Sequence, residues 1–244
     1  GKFSAEKLLR PGIDPIDGQQ KSFDSRNLPT DCDKGGVMNE IISWTLRISE
    51  TLGTAALAVL AADFIVGVFH WIEDAYLRDN CPVLGQLVAR PNILHHYRPR
   101  HFLRKSWMAS CWDLWLVAGL IITAAWAFGV LTPAVGLFAA LVGNANQIHK
   151  WAHRSRRENG PWINLLHDLR ILQSSRHHAI HHTDPKSTHY CVITEFLNPV
   201  LERLRFWTRL ECWLWRTFRI RRRSDTSNRR HGFTPEWVLL AEHA

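Results

Sequence analysis

The stretch Leu52-Gly-Thr-Ala-Ala-Leu-Ala-Val-Leu-Ala-Ala-Asp63-Phe-Ile-Val-Gly-Val-Phe-His70-Trp71 is almost wholly apolar, with Asp63 the exception. A helix needs roughly 20 apolar residues to cross the hydrocarbon core of a bilayer, so this run qualifies as a span. Its end brings His70, and one helical turn later stands Asp74, in His-Trp-Ile-Glu-Asp. Two readings start here: membrane helices, and metal-binding side chains where those helices emerge.

Working outward, a second apolar run covers Trp112 to Leu131, and Thr132-Pro133 makes a tight break. A third, Ala134 to Ile148, is short for a span unless it extends through Trp151. Before the first run, Ile41, Ile42, Trp44, Leu46 and Ile48 are mixed with charge between Met38 and Glu50, which predicts an amphipathic helix at an interface. Trp71, Trp107, Trp112, Trp115 and Trp151 sit at or just beyond the ends of the runs, the place indole rings prefer at a membrane boundary; the alternative is that they are ordinary core aromatics. Towards the C-terminus, Val200, Leu201, Leu204, Phe206, Trp207, Leu210, Trp213 and Leu214 are interleaved with Arg203, Arg205, Arg209 and Arg216. That pattern suits a helix on an anionic leaflet, or one packed on the protein's own core.

Charge orients the segments. Residues 77–110 hold Arg78, Arg90, Arg98, Arg100, Arg104 and Lys105 against Asp79, and the region after His149 is basic through Arg219, Arg221, Arg222 and Arg223. The hairpin at Leu131–Pro133 carries no charge. By the positive-inside rule both basic regions face the cytoplasm and the hairpin the other side. The expected fold is an all-α integral membrane protein with three to four transmembrane helices, a cytoplasmic His-rich cap and amphipathic interfacial helices. The expected organisation is a flexible polar tail at 1–37, a membrane domain at 38–218 and a basic tail at 219–244.

Composition points the same way. The 244 residues include 14 His and 12 Trp, unusual loads that each need a cause, and the net charge is +8. The slightly negative mean hydropathy hides segregation into an apolar middle and polar ends. Cys32, Cys81, Cys111, Cys191 and Cys212 are scattered and form no Cys-x-x-Cys pair, which argues against a disulfide framework or a thiolate zinc site. Gly1 to Arg10 lacks the apolar core of a secretory signal.

Most of the histidines fall in four clusters: His70 with Asp74; His95-His96; His149 and His153 in His-Lys-Trp-Ala-His; and His177-His178-Ala-Ile-His181-His182. Residues at i and i+4 share a helix face, so His70/Asp74 and His149/His153 can each serve one ion or two neighbouring ions. The topology brings all four clusters to one membrane face, with His95-His96 expected in a loop on that side. Eight imidazoles are too many for one ion and about right for two. No His-Glu-x-x-His occurs, so zincin chemistry has no support. A nitrogen-rich two-iron site is the natural choice for O₂ activation, and Asp74 can temper its charge as a ligand or as a partner of one.

The same residues resemble the plasmanylethanolamine desaturase family, which includes the plant plastid desaturase acting on phosphatidylglycerol. The resemblance is carried by Ala62-Asp63-Phe64 to His70-Trp71 and Asp74; His95-His96 with Pro99; Asn146-Gln147-Ile148-His149-Lys150-Trp151-Ala152-His153; His178-Ala-Ile-His181-His182 with Pro185; and Tyr190-Cys191-Val192-Ile193-Thr194 followed by Asn198, Leu201, Phe206-Trp207 and Leu210-Glu211. It implies a lipid desaturase using O₂ and two iron ions, with electrons from an external donor of cytochrome b5 or ferredoxin type. The ligands it implies are His70, His95, His96, His149, His153, His178, His181 and His182, with Asp74 alongside. His101, His167, His177 and His189 fit the family pattern less well. The chain departs from that pattern in a shortened loop before His101, in Arg98 where an acid or lysine is usual, and near Glu195-Phe196 where a glycine is usual. The implied substrate is a membrane phospholipid, with plasmanylethanolamine, giving a vinyl ether, first among the candidates. Arg90, Arg98, Arg100 and Arg104 are candidates for its phosphate, or ordinary positive-inside charge. Rival readings are a fatty-acyl desaturase or hydroxylase on the same scaffold, and a non-enzymatic membrane metal or haem protein. Nucleic-acid binding, suggested by the basic stretch 216–230, is opposed by the apolar segments.

Overall fold

The computed structural model describes residues 34–223, and all of its regular structure within them is helical. The expected tails at 1–37 and 219–244 lie for the most part outside the described residues. The chain divides into two units, 1–47 and 48–244. Helix α1 (Lys34–Ala75) contributes to both. It is one continuous helix, so the expected boundary between an interfacial helix at 38–50 and a span from 52 does not exist. No proline falls between Lys34 and Ala75 to break it.

Beyond α1 come α2 (Arg90–Tyr97), α3 (Trp107–Ala127), α4 (Pro133–Gly143), α5 (Ala145–His153), α6 (Arg156–Asp168), α7 (Ser175–His181), α8 (Leu197–Arg203) and α9 (Phe206–Phe218). Local chemistry sets several of the starts. Ser106 accepts from Ala109 N at 3.1 Å, Thr132 caps α4 with Pro133 behind it, and Ser155 and Glu158 form a capping box on α6. Among the described residues two helices, over Gly36–Ala75 and Trp107–Ala127, are long and apolar enough to cross a membrane. The third apolar run of the sequence is split at Asn144 into α4 and α5. Eleven residues of α4 reach only about 16 Å at 1.5 Å per residue, so α4 by itself falls short of a span of about 30 Å. Trp107 Nε1 donates to Asn144 Oδ1 (3.0 Å) and Asn146 Nδ2 to the carbonyl of Ser110 (2.6 Å), fastening this break to the start of α3. Leu116, Leu120 and Trp126 on α3 are exposed, as a lipid-facing surface requires.

The C-terminal half of α1 is the axis of the core. On one side Trp71 and Ala75 pack with Tyr190, Cys191, Leu201 and Trp207; on the other Ala62 packs with Val142, Ile148, Leu172 and Ile193. Trp71 is therefore not in the interfacial belt expected for it. It is 4% exposed, tilted against Trp207 at 5.7 Å, and its indole N–H donates to Glu211 at 3.0 Å. Trp107, Trp112 and Trp115 are exposed, as a belt requires. Helix α9 divides its faces: Phe206, Trp207, Leu210 and Leu214 pack on the core, while Trp213 and Phe218 stay exposed.

Asp63, fully buried in this apolar helix, binds the segment before α8. Its Oδ1 accepts from Ile193 N (2.8 Å) and its Oδ2 from Thr194 N (3.0 Å) and Thr194 Oγ1 (2.6 Å). A buried carboxylate is tolerated only when so supplied with donors. The end of α1 is closed by Arg223, a few residues beyond α9. Arg223 donates from its backbone N–H to Ala75 O (2.8 Å) and from its side chain to Asp74 O (3.0 Å), satisfying carbonyls that a helix C-terminus leaves open.

Candidate metal centre

The histidine clusters come together in two adjacent groups. His95, His149, His153, His178 and His182 form one; His70, Asp74, His96 and His181 form the other, and within each group the ligating atoms all lie within 4.8 Å of one another. The nine side chains are those singled out from the sequence. His70 and Asp74 come from the last turns of α1, His149 and His153 from α5, His178 and His181 from α7, and His182 directly follows it. His95 and His96 lie on the last turn of α2 and not in the loop expected for them. Pro91 sits in the first turn of that helix, where a missing N–H is not felt.

The ring nitrogens are arranged as metal ligands would be. His70 Nδ1 lies 3.0 Å from the carbonyl of Tyr190, and His181 Nδ1 lies 2.8 Å from that of Thr188. A carbonyl only accepts, so both Nδ1 atoms carry the proton and both Nε2 atoms present a lone pair. His178 Nδ1 meets Gln173 Oε1 at 2.9 Å, while Gln173 Nε2 donates to Cys191 O at 2.7 Å. The second contact fixes the amide orientation, so His178 Nε2 is also a bare lone pair. These and the neighbouring Nε2 atoms crowd together. His178 Nε2 is 2.9 Å from His149 Nε2 and 3.0 Å from His182 Nε2; His153 Nε2 is 3.1 Å from His95 Nε2 and 3.2 Å from His149 Nε2. In the other group Asp74 Oδ2 is 3.2 Å from His181 Nε2 and 3.7 Å from His70 Nε2.

Protonation does not resolve this crowding. Burial and the neighbouring imidazoles push His95 and His178 well below the usual histidine range, and burial brings His153 down to about 3. A shared cation would satisfy several neutral imidazole nitrogens aimed at one point. Neighbouring nitrogens bound at about 2.1 Å and at right angles would be about 3.0 Å apart, the spacing seen in the five-histidine group. The residues fit transition-metal ions, with imidazole-rich donors suited to iron, zinc, copper or nickel. Asp74 Oδ1 additionally accepts from Asn92 Nδ2 (2.6 Å) and lies 2.8 Å from His96 Nε2.

The remaining sequence candidates lie elsewhere. His101, His167, His177 and His189 belong to neither group. Arg98, Arg100 and Arg104 line a cavity of about 820 Å³ with His101, Arg154 and Glu158, and Arg90 is not among its lining residues. Arg100 pairs with Glu158 at 2.6 Å, which with the capping bonds from Ser155 holds the Glu158 carboxyl down at about 2. Phe102 leans its ring on His95 (5.2 Å) and His149 (5.4 Å), covering the larger group on that side.

Several residues around the centre escaped the sequence reading. Asn92 and Gln173 carry no signal of their own. Arg222 was counted with the basic tail, yet it donates to Tyr190 Oη (2.7 Å), Glu211 (2.8 Å) and Lys186 O (2.7 Å). Asp63 did carry a signal, being a lone carboxylate in an apolar run.

Comparison with known proteins bears on this arrangement. A probable fatty acid desaturase of Acanthamoeba polyphaga mimivirus is 32% identical over 171 residues, 68% of this chain and 83% of that protein. Plasmanylethanolamine desaturase 1 of Mus musculus is 32% identical over 66% of this chain and 63% of its own length. A plasmanylethanolamine desaturase of Myxococcus xanthus is 27% identical over 71% and 64%. The chain thus spans a little under two thirds of the mouse and Myxococcus proteins. No solved structure matches it. The sequence profile of the lipid desaturase domain matches residues 59–225, a stretch that holds every side chain of both ligand groups. On that match, the chain belongs to the lipid desaturase domain family, whose named members are oxidoreductases.

Proposed function

We propose that this protein is an O₂-dependent di-iron desaturase of membrane phospholipids, and that its substrate is plasmanylethanolamine, converted to the vinyl ether plasmenylethanolamine. The observation that carries the reading is the pairing of two ligand groups side by side, with Nε2 lone pairs preset by backbone carbonyls and Gln173. Desaturation removes two hydrogens from adjacent carbons; with O₂, two electrons and two protons the balance is an alkene and two waters. Iron held by the two groups would supply the O₂ activation and hydrogen removal, while the protein supplies position and exclusion of water. The electrons come from an external donor of cytochrome b5 or ferredoxin type.

The chain's own residues have separable tasks in this reading. His70, His96 and His181 with Asp74 hold one ion, and the five remaining histidines hold the other. Phe102 shields the larger group. Arg98, Arg100 and Arg104 hold the lipid phosphate, with the alkyl chain along the apolar helices. Arg90, expected with them, lines no part of that cavity. The basic surface, and with it the His-rich face, lies on the cytoplasmic side.

A second reading is favoured by one finding: the mimiviral relative is named a probable fatty acid desaturase, at the same identity as the mouse protein. An acyl chain would then replace the ether-linked alkyl chain at the same centre. Haem binding is disfavoured by geometry, because five ligating nitrogens within 4.8 Å of one another leave no plane for a porphyrin. The test is expression in a host lacking the activity, with iron and zinc quantified per chain and lipids compared by mass spectrometry. About two iron ions and a plasmalogen two hydrogens lighter than its precursor is the expected result. A lighter acyl chain selects the second reading, a gain of one oxygen selects a hydroxylase, and zinc or no metal with unchanged lipids refutes the proposal.

A further inference from the structure

We propose that Gln173 and Asp63 are positioning residues for both ligand groups, acting through one backbone segment, Thr188–Thr194. The inference rests on the metal-binding reading above and adds residues that touch neither metal nor substrate.

The segment reaches toward the ligands with two carbonyls. Thr188 O accepts a hydrogen bond from His181 Nδ1–H, and Tyr190 O one from His70 Nδ1–H, so two of the three histidines in the smaller group are oriented by it. The same segment is held from behind at Cys191, Ile193 and Thr194. Cys191 O accepts from Gln173 Nε2 (2.7 Å) and Asn198 Nδ2 (2.8 Å), and Cys191 N donates to Asn198 Oδ1 (3.1 Å). Ile193 O accepts from Gln173 N (2.9 Å), while Ile193 N and Thr194 N are taken by Asp63. Gln173 closes the circuit: fully buried, it holds the segment with its amide nitrogens and orients His178 of the larger group with its amide oxygen.

A buried loop has to satisfy its polar groups somehow, and a purely structural role would ask no more of these contacts. The arrangement does more. One seven-residue segment fixes the tautomer of ligands in both groups, directly in one and through a single glutamine in the other. Partners of this kind around a metal site typically change metal affinity about 10–100-fold when removed. Asp63 anchors the segment to the helix that carries His70 and Asp74, so displacement of the segment and displacement of those ligands are coupled.

The test uses the full chain purified in detergent, stripped by chelation and titrated with cobalt(II), with the thermal transition of the metal-free protein measured alongside. Wild type is expected to take up two cobalt ions. Gln173→Met, which keeps the size and loses both amide contacts, is expected to bind cobalt at least tenfold more weakly, with a metal-free transition close to that of wild type. Gln173→Glu keeps an acceptor for His178 Nδ1 and is expected to bind more tightly than Gln173→Met. Asn164→Ala, which loses a side chain–backbone bond to Arg156 O away from the segment, serves as control with unchanged cobalt affinity. Unchanged affinity in Gln173→Met overturns the proposal. So does a Glu variant as weak as the Met variant, or a loss of affinity matched step for step by lost metal-free stability. If Gln173→Met does not fold, Asp63→Asn takes its place with the same two outcomes. A wild type that binds no cobalt refutes the metal reading itself, which separates that failure from this one.

Discussion

Gly67 offers a test in which two well-known effects have opposite signs. Replacing a glycine inside a helix by alanine ordinarily stabilises it by about 1 kcal/mol. At Gly67 the added Cβ would stand 2.7 Å from Cys191 Sγ and 3.2 Å from both Cα and N of Cys191. Nothing there yields easily: Cys191 is fully buried, and its backbone is pinned by Asn198 and Gln173. Inserting a methyl into a packed interior costs about 1–3 kcal/mol. Set against the helix gain of about 1 kcal/mol, a net loss of up to about 2 kcal/mol remains, and at roughly 2–4 °C per kcal/mol for a chain of this size Gly67→Ala should lower the thermal transition by up to roughly 8 °C. Removing the sulfur with Cys191→Ala relieves the shortest contact and leaves the two at 3.2 Å. The double variant should therefore be more stable than the sum of the single losses, with a coupling of at least about 0.5 kcal/mol. Thermal unfolding in detergent, followed by tryptophan fluorescence, measures all three variants. A Gly67→Ala protein more stable than wild type, or strictly additive losses, would refute the close approach of α1 to the Tyr190–Thr194 segment.

Other consequences can be read with the same preparations. His149→Ala and His182→Ala should each abolish desaturation, by a hundredfold or more, while the protein still fractionates with membranes; activity in both would remove these residues from the ligand set. Arg222→Ala withdraws donors from Tyr190 Oη, Glu211 and Lys186 O and leaves the part-buried Glu211 without this cation, so it should cost about 3 kcal/mol in unfolding experiments, less when Glu211→Gln is combined with it. His189 is brought down to about 4 by burial and by the neighbouring His177 and His181. The unfolded chain takes up this proton near pH 6.5 and the folded chain does not, so the stability tied to neutral His189 is full above about pH 6.5. It is lost progressively as pH falls toward 4. His189→Gln should flatten acid sensitivity in that window, and an unchanged pH profile would contradict the burial.

Much of the centre was legible because its chemistry repeats at helical spacing. His70/Asp74 and His149/His153 could be recognised without any structure, and the expected meeting of clusters distant in sequence is what the structure shows. What failed did so for physical reasons. Trp71 looked like a boundary aromatic because it ends an apolar run, but its N–H has a buried partner in Glu211, far along the chain. The join between residues 38–50 and the following span was invisible because charge between apolar positions signals a change of environment, not a break in the backbone. Arg222 and Arg223 were indistinguishable in sequence from their basic neighbours; only the fold shows that their partners are Tyr190, Glu211 and the last carbonyls of α1.

The division of the ligands into five and four follows from helical phase. Successive residues on a helix diverge by about 100°, while residues four apart return to within about 40°. On that ground His149 and His153 belong together, as do His178 and His182, and His70 with Asp74; each pair does share a group. Adjacent residues should part, and they do: His95 lies with the five histidines and His96 with Asp74, while His182 and His181 divide in the same sense. A double histidine at the end of a helix is thus a means of addressing two neighbouring sites from one backbone. The two positions are chemically unequal as a result, one offering imidazoles alone and the other a carboxylate. An ion held beside Asp74 would therefore sit in the less positive field, and its affinity should depend more on that carboxylate than on any single imidazole across the centre.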